Sequence, residues 1–272
     1  MSHQGDLNAF LRHAKQSAIA HLKGEDSRPL VLVMGNGAGD LDSLTSAISL
    51  SYMLARLPHS GLPLSEASLP ADAMFAPLIQ TNRSDVHLRP ENVAILGATD
   101  VDQRDLLLLS DLTDQRSNGG LELDLAASEQ LGPQQNTFLG LVDHPQLELP
   151  WTQHGEAPNR HVLFIVDHHA DAGQHMNAAM RVFREPEGTK DPSPTGSAQS
   201  IVVELFSAAV AQNPNSVPQA LADLAISTIL IDTDNVSSSP LLSTKALHPA
   251  SVLTAVLNLT APTSSQRPSK QD

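Results

Sequence analysis

Short aliphatic runs bounded by turn residues or acids recur along the chain. Each run is short enough for a strand and too continuous for a half-exposed one, which favours buried strands. The runs are PLVLVMG at 29–35, NVAIL at 92–96, DLLLLSDL at 105–112, TFLGLVDH at 137–144, HVLFIVDHH at 161–169 and ISTILIDTDN at 226–235. Near-continuous aliphatic strands are typical of a parallel sheet that is covered on both faces.

Segments with helical spacing of apolar residues alternate with several of these runs. Residues 6–22 predict an amphipathic opening helix, and further helices are predicted at 44–57, 197–212 and 218–228. Strands that alternate with helices indicate an α/β fold, with a mostly parallel sheet and helices on both faces. This is the fold class that the sequence predicts.

Polar, turn-rich stretches separate the predicted elements. Residues 115–135 and 184–196 predict surface loops, and residues 261–272 have the composition of a disordered tail. We therefore predict an N-terminal helix at 1–27, an α/β domain at 28–260 and a tail at 261–272.

Composition narrows the classes of function. The 272 residues are 40% hydrophobic but only 3% aromatic, so the core is expected to be aliphatic. A formal charge of −14 disfavours duplex nucleic acid and anionic membrane surfaces as partners. With no cysteine, a metal would have to be held by carboxylates and imidazoles. No stretch has the length of a membrane span, and we expect a cytoplasmic protein.

Acids and histidines gather where the aliphatic runs end. The carboxyl ends of parallel strands share one edge of a sheet, so these side chains are expected to converge there. They are Asp40, Asp42, Asp143, Asp167, His168, His169 and Asp232. So many acids would repel one another without cations, which indicates a pair of divalent metal ions.

Roles follow from this geometry. Asp143 or Asp232 is expected to bridge the two ions, and Asp40 and Asp42 to ligate one ion each, at a separation of about 3.5 to 4 Å. Imidazole ligands extend the preference from Mg²⁺ to Mn²⁺ and Co²⁺. Such a pair lowers the pKa of a shared water and clamps a phosphoryl oxygen, which supports hydrolysis.

Four segments resemble, in order, the four motifs of the DHH phosphoesterase superfamily. They are GNGAGDLDS at 35–43, LVDH at 141–144, VDHHAD at 166–171 and ILIDTDN at 229–235. The closest similarity is to the exopolyphosphatase and prune branch, because the first motif begins with Asn36 where family II inorganic pyrophosphatases have a histidine ligand. The resemblance covers roughly residues 28–236.

The resemblance implies a role for each matched residue. One metal would be held by Asp40 and Asp143, the other by Asp42 and His168, with Asp143 and Asp232 touching both. His169 would contact the phosphate and act as a general acid, since its ordinary pKa of about 6.5 suits proton transfer near neutrality. Asp167 would orient a neighbouring histidine. Asn36, Arg83 and Arg89 would contact substrate.

The implied function is metal-dependent hydrolysis of phosphoanhydride bonds, with inorganic polyphosphate or another small phosphorylated substrate. The family normally adds a C-terminal domain that closes over the phosphate chain, and the 36 residues after Val236 predict that this lid is absent or vestigial. One alternative is therefore a weak or inactive module that binds metal or a partner protein. Another is a phosphodiesterase of cyclic nucleotides or short oligonucleotides, although the sequence shows no aromatic platform for bases.

Overall fold

The centre of the fold is a parallel sheet of six strands. The structure is a computed structural model that describes residues 4–59, 61–63, 69–70, 72–114, 120–152, 160–184 and 195–233. Its strands are β1 (Leu30–Met34), β2 (Met74–Ile79), β3 (Leu107–Leu108), β4 (Thr137–Val142), β5 (Val162–Asp167) and β6 (Met180–Phe183). They lie in the order β3-β2-β1-β4-β5-β6, and every neighbouring pair is parallel. The predicted α/β class with a parallel sheet is confirmed.

Helices pack against the sheet and against one another. They are α1 (Gln4–Leu22), α2 (Leu41–Arg56), α3 (Pro90–Ala98), α4 (Leu109–Thr113), α5 (Ala198–Gln212) and α6 (Gln219–Asp232). Helix α2 contacts β2, α5 and α6, and the ring of Phe10 in α1 meets Tyr52 in α2 edge-to-face at 5.1 Å between centroids. Within the described ranges no helix is both long and apolar enough to cross a membrane.

Two of the runs predicted as strands are helical, and a third, at 105–112, forms a strand only at Leu107–Leu108 before α4 begins at Leu109. Residues 92–96 lie inside α3, which begins at Pro90, where the fixed φ of proline suits the first helical position. Residues 226–232 continue α6 without a break, and the hydroxyl of Thr228 donates to Leu224 O at 2.9 Å along the helix. Tertiary packing overrides the β-branched composition here, so Asp232 ends a helix and not a strand.

The sequence analysis did not predict two of the strands, β2 and β6. Strand β2 contains Pro77, which lacks the N–H that a central strand normally donates, although it pairs with β1 in register opposite Val33. Strand β6 has four residues with alternating burial and therefore no continuous apolar run. The predicted tail at 261–272 and residues 185–194 of the predicted loop lie outside the described residues.

The register aligns the ends of the central strands. Met34 pairs with Leu141 across β1 and β4, and Val142 pairs with Val166 across β4 and β5. The residues that follow these strands therefore leave from one edge of the sheet. From β1 the chain proceeds to β2 and β3 on one side, whereas β5 and β6 follow β4 on the other side. A crevice is expected at such a change of direction, and it is where open α/β sheets bind ligands.

Gly140 offers a test of the packing in the middle of the sheet. A Cβ atom at this position of β4 would lie 2.2 Å from ring atoms of the fully buried Phe164. We expect Gly140→Ala to lower the free energy of unfolding by about 1–3 kcal/mol, because the ring would have to move in a packed core. Urea denaturation measures the change.

The matched control is Gly97→Ala in α3, where a Cβ atom would have no neighbour within 4 Å. This substitution should be neutral or raise the free energy of unfolding by up to about 1 kcal/mol, because alanine favours a helix over glycine. Equal stabilities of the two variants would contradict the packing described for Gly140.

Candidate metal centre

Asp143 lies at the centre of the crevice, directly after β4. Its backbone is left-handed with φ of 64°, a conformation that aspartate and asparagine tolerate, and its N–H donates to Val166 O of β5 at 3.0 Å. Only 2% of the residue is exposed. Buried carboxylates need donors or cations around them, and the two oxygens of Asp143 differ in what they have.

One oxygen of Asp143 is saturated and the other is not. Oδ2 accepts hydrogen bonds from Ser43 Oγ at 2.6 Å and from Asn36 Nδ2 at 2.9 Å. Oδ1 is buried and accepts no hydrogen bond of good geometry within the described chain. It lies 3.2 Å from His168 Nε2 and 3.7 Å from His169 Nδ1.

The glycine-bearing loop after β1 is held rigidly beside Asp143. Asn36 Oδ1 accepts from the N–H groups of Ala38 and Gly39 at 2.9 and 3.2 Å. Gly39 has φ of 60°, and a Cβ atom there would meet Thr81 Oγ1 at 2.3 Å, so the loop requires glycine at this position. From α3, Asn92 Nδ2 donates to Gly39 O at 2.8 Å.

The two acids at the start of α2 have different surroundings. Asp40 is the N-cap of the helix, and its Oδ1 accepts from Ser43 N at 2.9 Å. Asp42 is 4% exposed and faces the first turn of α5, where it accepts from Ser197 Oγ, Ala198 N and Gln199 N at 2.9, 2.6 and 2.9 Å. The N-terminus of α5 therefore fixes the Asp42 carboxylate, as helix N-termini favour anions.

The two histidines after β5 are oriented differently. His169 Nδ1 lies 2.9 Å from Oδ1 of Asp167, which is fully buried and also accepts from His169 N at 3.1 Å. The His169 side chain is 51% exposed, whereas that of His168 is 15% exposed. His168 Nε2 points into the crevice, between Asp143 Oδ1 and Asp42 Oδ2 at 3.2 and 3.9 Å.

The ligand atoms form two overlapping groups. Within each group the atoms lie within 4.8 Å of one another: one group is Asp143, His168 and His169, and the other is Asp42, His168 and Asp232. Asp232 is exposed at the end of α6, at the rim of the crevice. The structure thus brings together Asp42, Asp143, His168 and Asp232 among the predicted ligands. Asp40 belongs to neither group.

The pKa values reflect this crowding. Burial and the charges of Asp143 and Asp232 raise the pKa of Asp42 to about 8. Burial opposes the charge on His168, but its contact with Asp143 and the charges of Asp42 and Asp232 raise its pKa to about 9. Partial burial is the main reason why the pKa of Asp232 is raised to about 6. The charge of Asp143 raises this pKa as well, whereas the charge of His168 lowers it.

A divalent cation fits this donor set. Carboxylate oxygens and an imidazole nitrogen are ligands of Mg²⁺, Mn²⁺ and Co²⁺, and Oδ1 of Asp143 is a buried acceptor without a donor in the described chain. The pKa of Asp42 is raised first by burial and then by the charges of Asp143 and Asp232, and a cation at this oxygen would offset the effect of those charges. The chemistry of the site therefore agrees with metal binding.

The predicted phosphate ligands Arg83 and Arg89 are engaged outside the two groups. Arg83 Nη2 donates to Asp111 Oδ2 at 2.9 Å and to Leu106 O at 3.1 Å. Arg89 Nη2 donates to Ala38 O at 2.6 Å, so it supports the glycine-bearing loop. In this structure both guanidinium groups make structural contacts, and their role in substrate binding remains a prediction.

Three supporting residues did not emerge from the sequence reading. Ser43 and Ser197 bind the carboxylates of Asp143 and Asp42. Gln80 donates through Nε2 to Gly35 O and accepts from the indole of the buried Trp151 at 2.6 Å. Ser43 had a signal in the sequence, because it directly follows the two acids of the first motif, and Ser197 lies at the start of a predicted helix at 197–212.

Comparisons with known proteins agree with this arrangement. The profile described as DHH family, N-terminal domain, matches residues 30–229. Exopolyphosphatase PRUNE1 of Bos taurus is 28% identical over 212 residues, which are 78% of this chain and 38% of the bovine protein. The mouse protein of the same name is 33% identical over 120 residues, or 44% of this chain and 21% of that protein.

A fungal relative matches over a similar range. A putative exopolyphosphatase of Schizosaccharomyces pombe is 26% identical over 213 residues, which are 76% of this chain and 45% of the yeast protein. The chain thus spans less than half the length of these relatives. The profile match covers well over half of the chain, and it agrees with the four ordered motifs and the parallel sheet. The chain belongs to the DHH family, on the branch of the exopolyphosphatases and prune proteins.

Proposed function

We propose that the crevice binds two divalent metal ions, Mn²⁺ or Mg²⁺ with Co²⁺ as a further option, and hydrolyses phosphoanhydride bonds. The substrate class is inorganic polyphosphate or short polyphosphates, which yield orthophosphate. The observation that carries the proposal is the gathering of Asp42, Asp143, His168, His169 and Asp232 within two groups of ligand distance. The names of the relatives support the choice of substrate.

Each residue has a place in the proposed reaction. The resemblance places His168 with Asp42, but the shorter distance from His168 Nε2 to Asp143 Oδ1, 3.2 Å against 3.9 Å to Asp42 Oδ2, favours His168 and Asp143 on one ion. Asp42 and Asp232 would take part in holding the other. Asp40, as the cap of α2, has a second oxygen beyond the one that accepts from Ser43 N, and it remains a proposed ligand. When bound, the ions supply a nucleophile from water near neutral pH and neutralise charge on the phosphoryl oxygens.

His169 is suited to deliver a proton to the leaving phosphate. Its hydrogen bond to Asp167, opposed by partial burial, raises its pKa, so the imidazolium persists nearer to neutral pH. Because Nδ1 is anchored on Asp167, the proton available to substrate is the one on Nε2. The half-exposed ring can reach a phosphate from the solvent side of the crevice.

One observation favours the alternative of a metal-binding module with little activity. The guanidinium groups of Arg83 and Arg89 are engaged with Asp111 and with Ala38 O, and a polyanionic substrate needs cations along its path. Mn²⁺ binding without release of phosphate from pyrophosphate, tripolyphosphate or long polyphosphate would favour the module. Cleavage of cyclic nucleotides alone would favour the phosphodiesterase alternative.

Removing one carboxylate charge tests the metal centre. We expect Asp143→Asn and Asp232→Asn to weaken Mn²⁺ binding by about tenfold or more, because each removes an anionic oxygen that no neighbour replaces. Asparagine retains the tolerance of aspartate for the left-handed backbone at 143. Isothermal titration calorimetry measures the affinity.

Asp223→Asn is the matched control for Asp232→Asn. Asp223 lies on the same helix, and its carboxylate accepts from Gln219 Nε2 at 2.9 Å, away from the crevice. The Asp223→Asn variant should bind Mn²⁺ with the affinity of the wild type. If all three variants bind as tightly as the wild type, the proposed ligand set is wrong.

The affinity for Mn²⁺ should rise steadily between pH 6 and pH 9. Asp42 and His168, with pKa values of about 8 and about 9, must lose their protons before they can bind a cation. Binding should therefore release protons, which calorimetry detects as a dependence of the heat on the ionisation enthalpy of the buffer.

The stability of the metal-free protein should move in the opposite direction. The raised pKa of Asp42 means that its ionisation costs stability as pH rises from about 4 to about 8. The raised pKa of His168 contributes stability below about 6.5, and this is lost as pH rises through about 9. Added Mn²⁺ should thus raise the melting temperature more at pH 8.5 than at pH 6, and an equal shift at both would contradict this account.

His169→Gln should separate catalysis from metal binding. We expect it to lower the rate of phosphate release from tripolyphosphate by about 10²- to 10⁴-fold, the usual range for loss of a general acid. Affinity for Mn²⁺ should change much less. His161→Gln is the control and should retain full activity, because His161 directly precedes β5, at the end of the strand opposite to the crevice. A His169→Gln enzyme as fast as the control would exclude the proposed acid.

A further inference from the structure

Ser43 is a buried junction between the first and second motifs. Its hydroxyl is buried in a residue that is only 1% exposed, and it donates to Asp143 Oδ2 at 2.6 Å. The Ser43 hydroxyl oxygen in turn accepts from the backbone N–H of Asn36 at 2.9 Å. One hydroxyl thus connects the loop after β1 to the residue that ends β4.

The junction determines how the Asp143 carboxylate is rotated. Both donors, Ser43 Oγ and Asn36 Nδ2, bind the same oxygen, Oδ2. The other oxygen, Oδ1, is left facing His168 Nε2 at 3.2 Å. A carboxylate held by two donors on one oxygen cannot turn to offer both oxygens to cations without losing these hydrogen bonds.

Packing prevents Ser43 from moving away. A Cβ atom on Gly35 would lie 2.7 Å from the Cβ and carbonyl oxygen of Ser43, so the backbone directly after β1 packs closely against this turn of α2. Gly35 is itself held, because its carbonyl accepts from Gln80 Nε2. The position of the hydroxyl is therefore fixed from both sides.

We infer that Ser43 is a positioning residue that makes Asp143 a one-oxygen ligand, through Oδ1. This inference rests on the proposed function and deepens it. The sequence predicts that Asp143 or Asp232 bridges the two ions. With Oδ2 committed to Ser43 and Asn36, any ion that Asp143 binds must contact Oδ1, and two ions would have to share that single oxygen.

Ser43→Ala tests the inference by Mn²⁺ affinity, with Ser49→Ala as the control. Ser49 lies in the same helix, is fully buried, and its hydroxyl has no hydrogen-bond partner in the described chain. The two variants therefore make the same chemical change at equally buried sites. We expect Ser43→Ala to bind Mn²⁺ about 10- to 100-fold more weakly, as is usual when a partner of a metal ligand is removed. Ser49→Ala should bind like the wild type.

The visible spectrum of bound Co²⁺ distinguishes positioning from a general loss of structure. The visible d–d absorption bands of Co²⁺ become weaker as its coordination number rises. In Ser43→Ala, Oδ2 loses a donor and becomes able to join Oδ1 on the ion, so the bands should be weaker than in the wild type and in Ser49→Ala. Urea denaturation of the metal-free variants shows whether both are folded.

Each outcome of these measurements supports or overturns the positioning role of Ser43. Equal Mn²⁺ affinities of the two variants would overturn the inference while leaving the metal site intact. Weaker binding by Ser43→Ala with an unchanged Co²⁺ spectrum would show a structural role and overturn it too. No binding by the wild type would remove the proposed function and this inference together. If Ser43→Ala does not fold, Asn36→Ala removes the other donor to Oδ2, and the same two changes are expected.

Discussion

Repulsion between buried carboxylates is the constraint on which the site depends. Asp42 and Asp143 are almost fully buried, and with Asp232 they lie around His168 at the end of the central strands. Hydrogen bonds satisfy most of their oxygens, yet the pKa of Asp42 is still raised to about 8. A fold gains nothing in stability from this crowding. Crowding of this kind complements a cationic ligand, and it makes the crevice suited to binding metal.

The parallel sheet is what creates the crowding. Strands β1, β4 and β5 are neighbours in register, so the residues that follow them leave from one edge, at the point where the strand order changes direction. Short contacts then fix each group: Ser43 and Asn36 hold Asp143, the first turn of α5 holds Asp42, and Asp167 holds His169. The ligands are thus placed by rigid elements and by partners that are themselves buried, which keeps a site organised before a ligand arrives.

Much of this arrangement could be predicted from the sequence. The aliphatic runs at β1, β4 and β5 identified the strands that carry the site, and the acids and histidines that follow the runs included Asp143, His168 and His169. Asp232 lies near Asp42 and His168, as the sequence predicts, but it ends a helix and not a strand, because a β-branched run such as residues 226–232 does not distinguish a strand from a buried helix. Strand β2 was missed because of Pro77. The sequence marked Ser43 only as the end of the first motif. The roles of Ser43 and Ser197 could not be predicted, because they depend on the tertiary contacts that bring the two hydroxyls to Asp143 and Asp42.

The most direct test of the metal centre is a crystal structure of the protein grown with Mn²⁺, with diffraction measured at a wavelength where manganese scatters anomalously. The account predicts an anomalous peak within about 2.0 to 2.4 Å of Asp143 Oδ1 and His168 Nε2, and a second peak beside Asp42 and Asp232. A fully ordered crevice without any peak, or manganese bound only elsewhere on the surface, would contradict it.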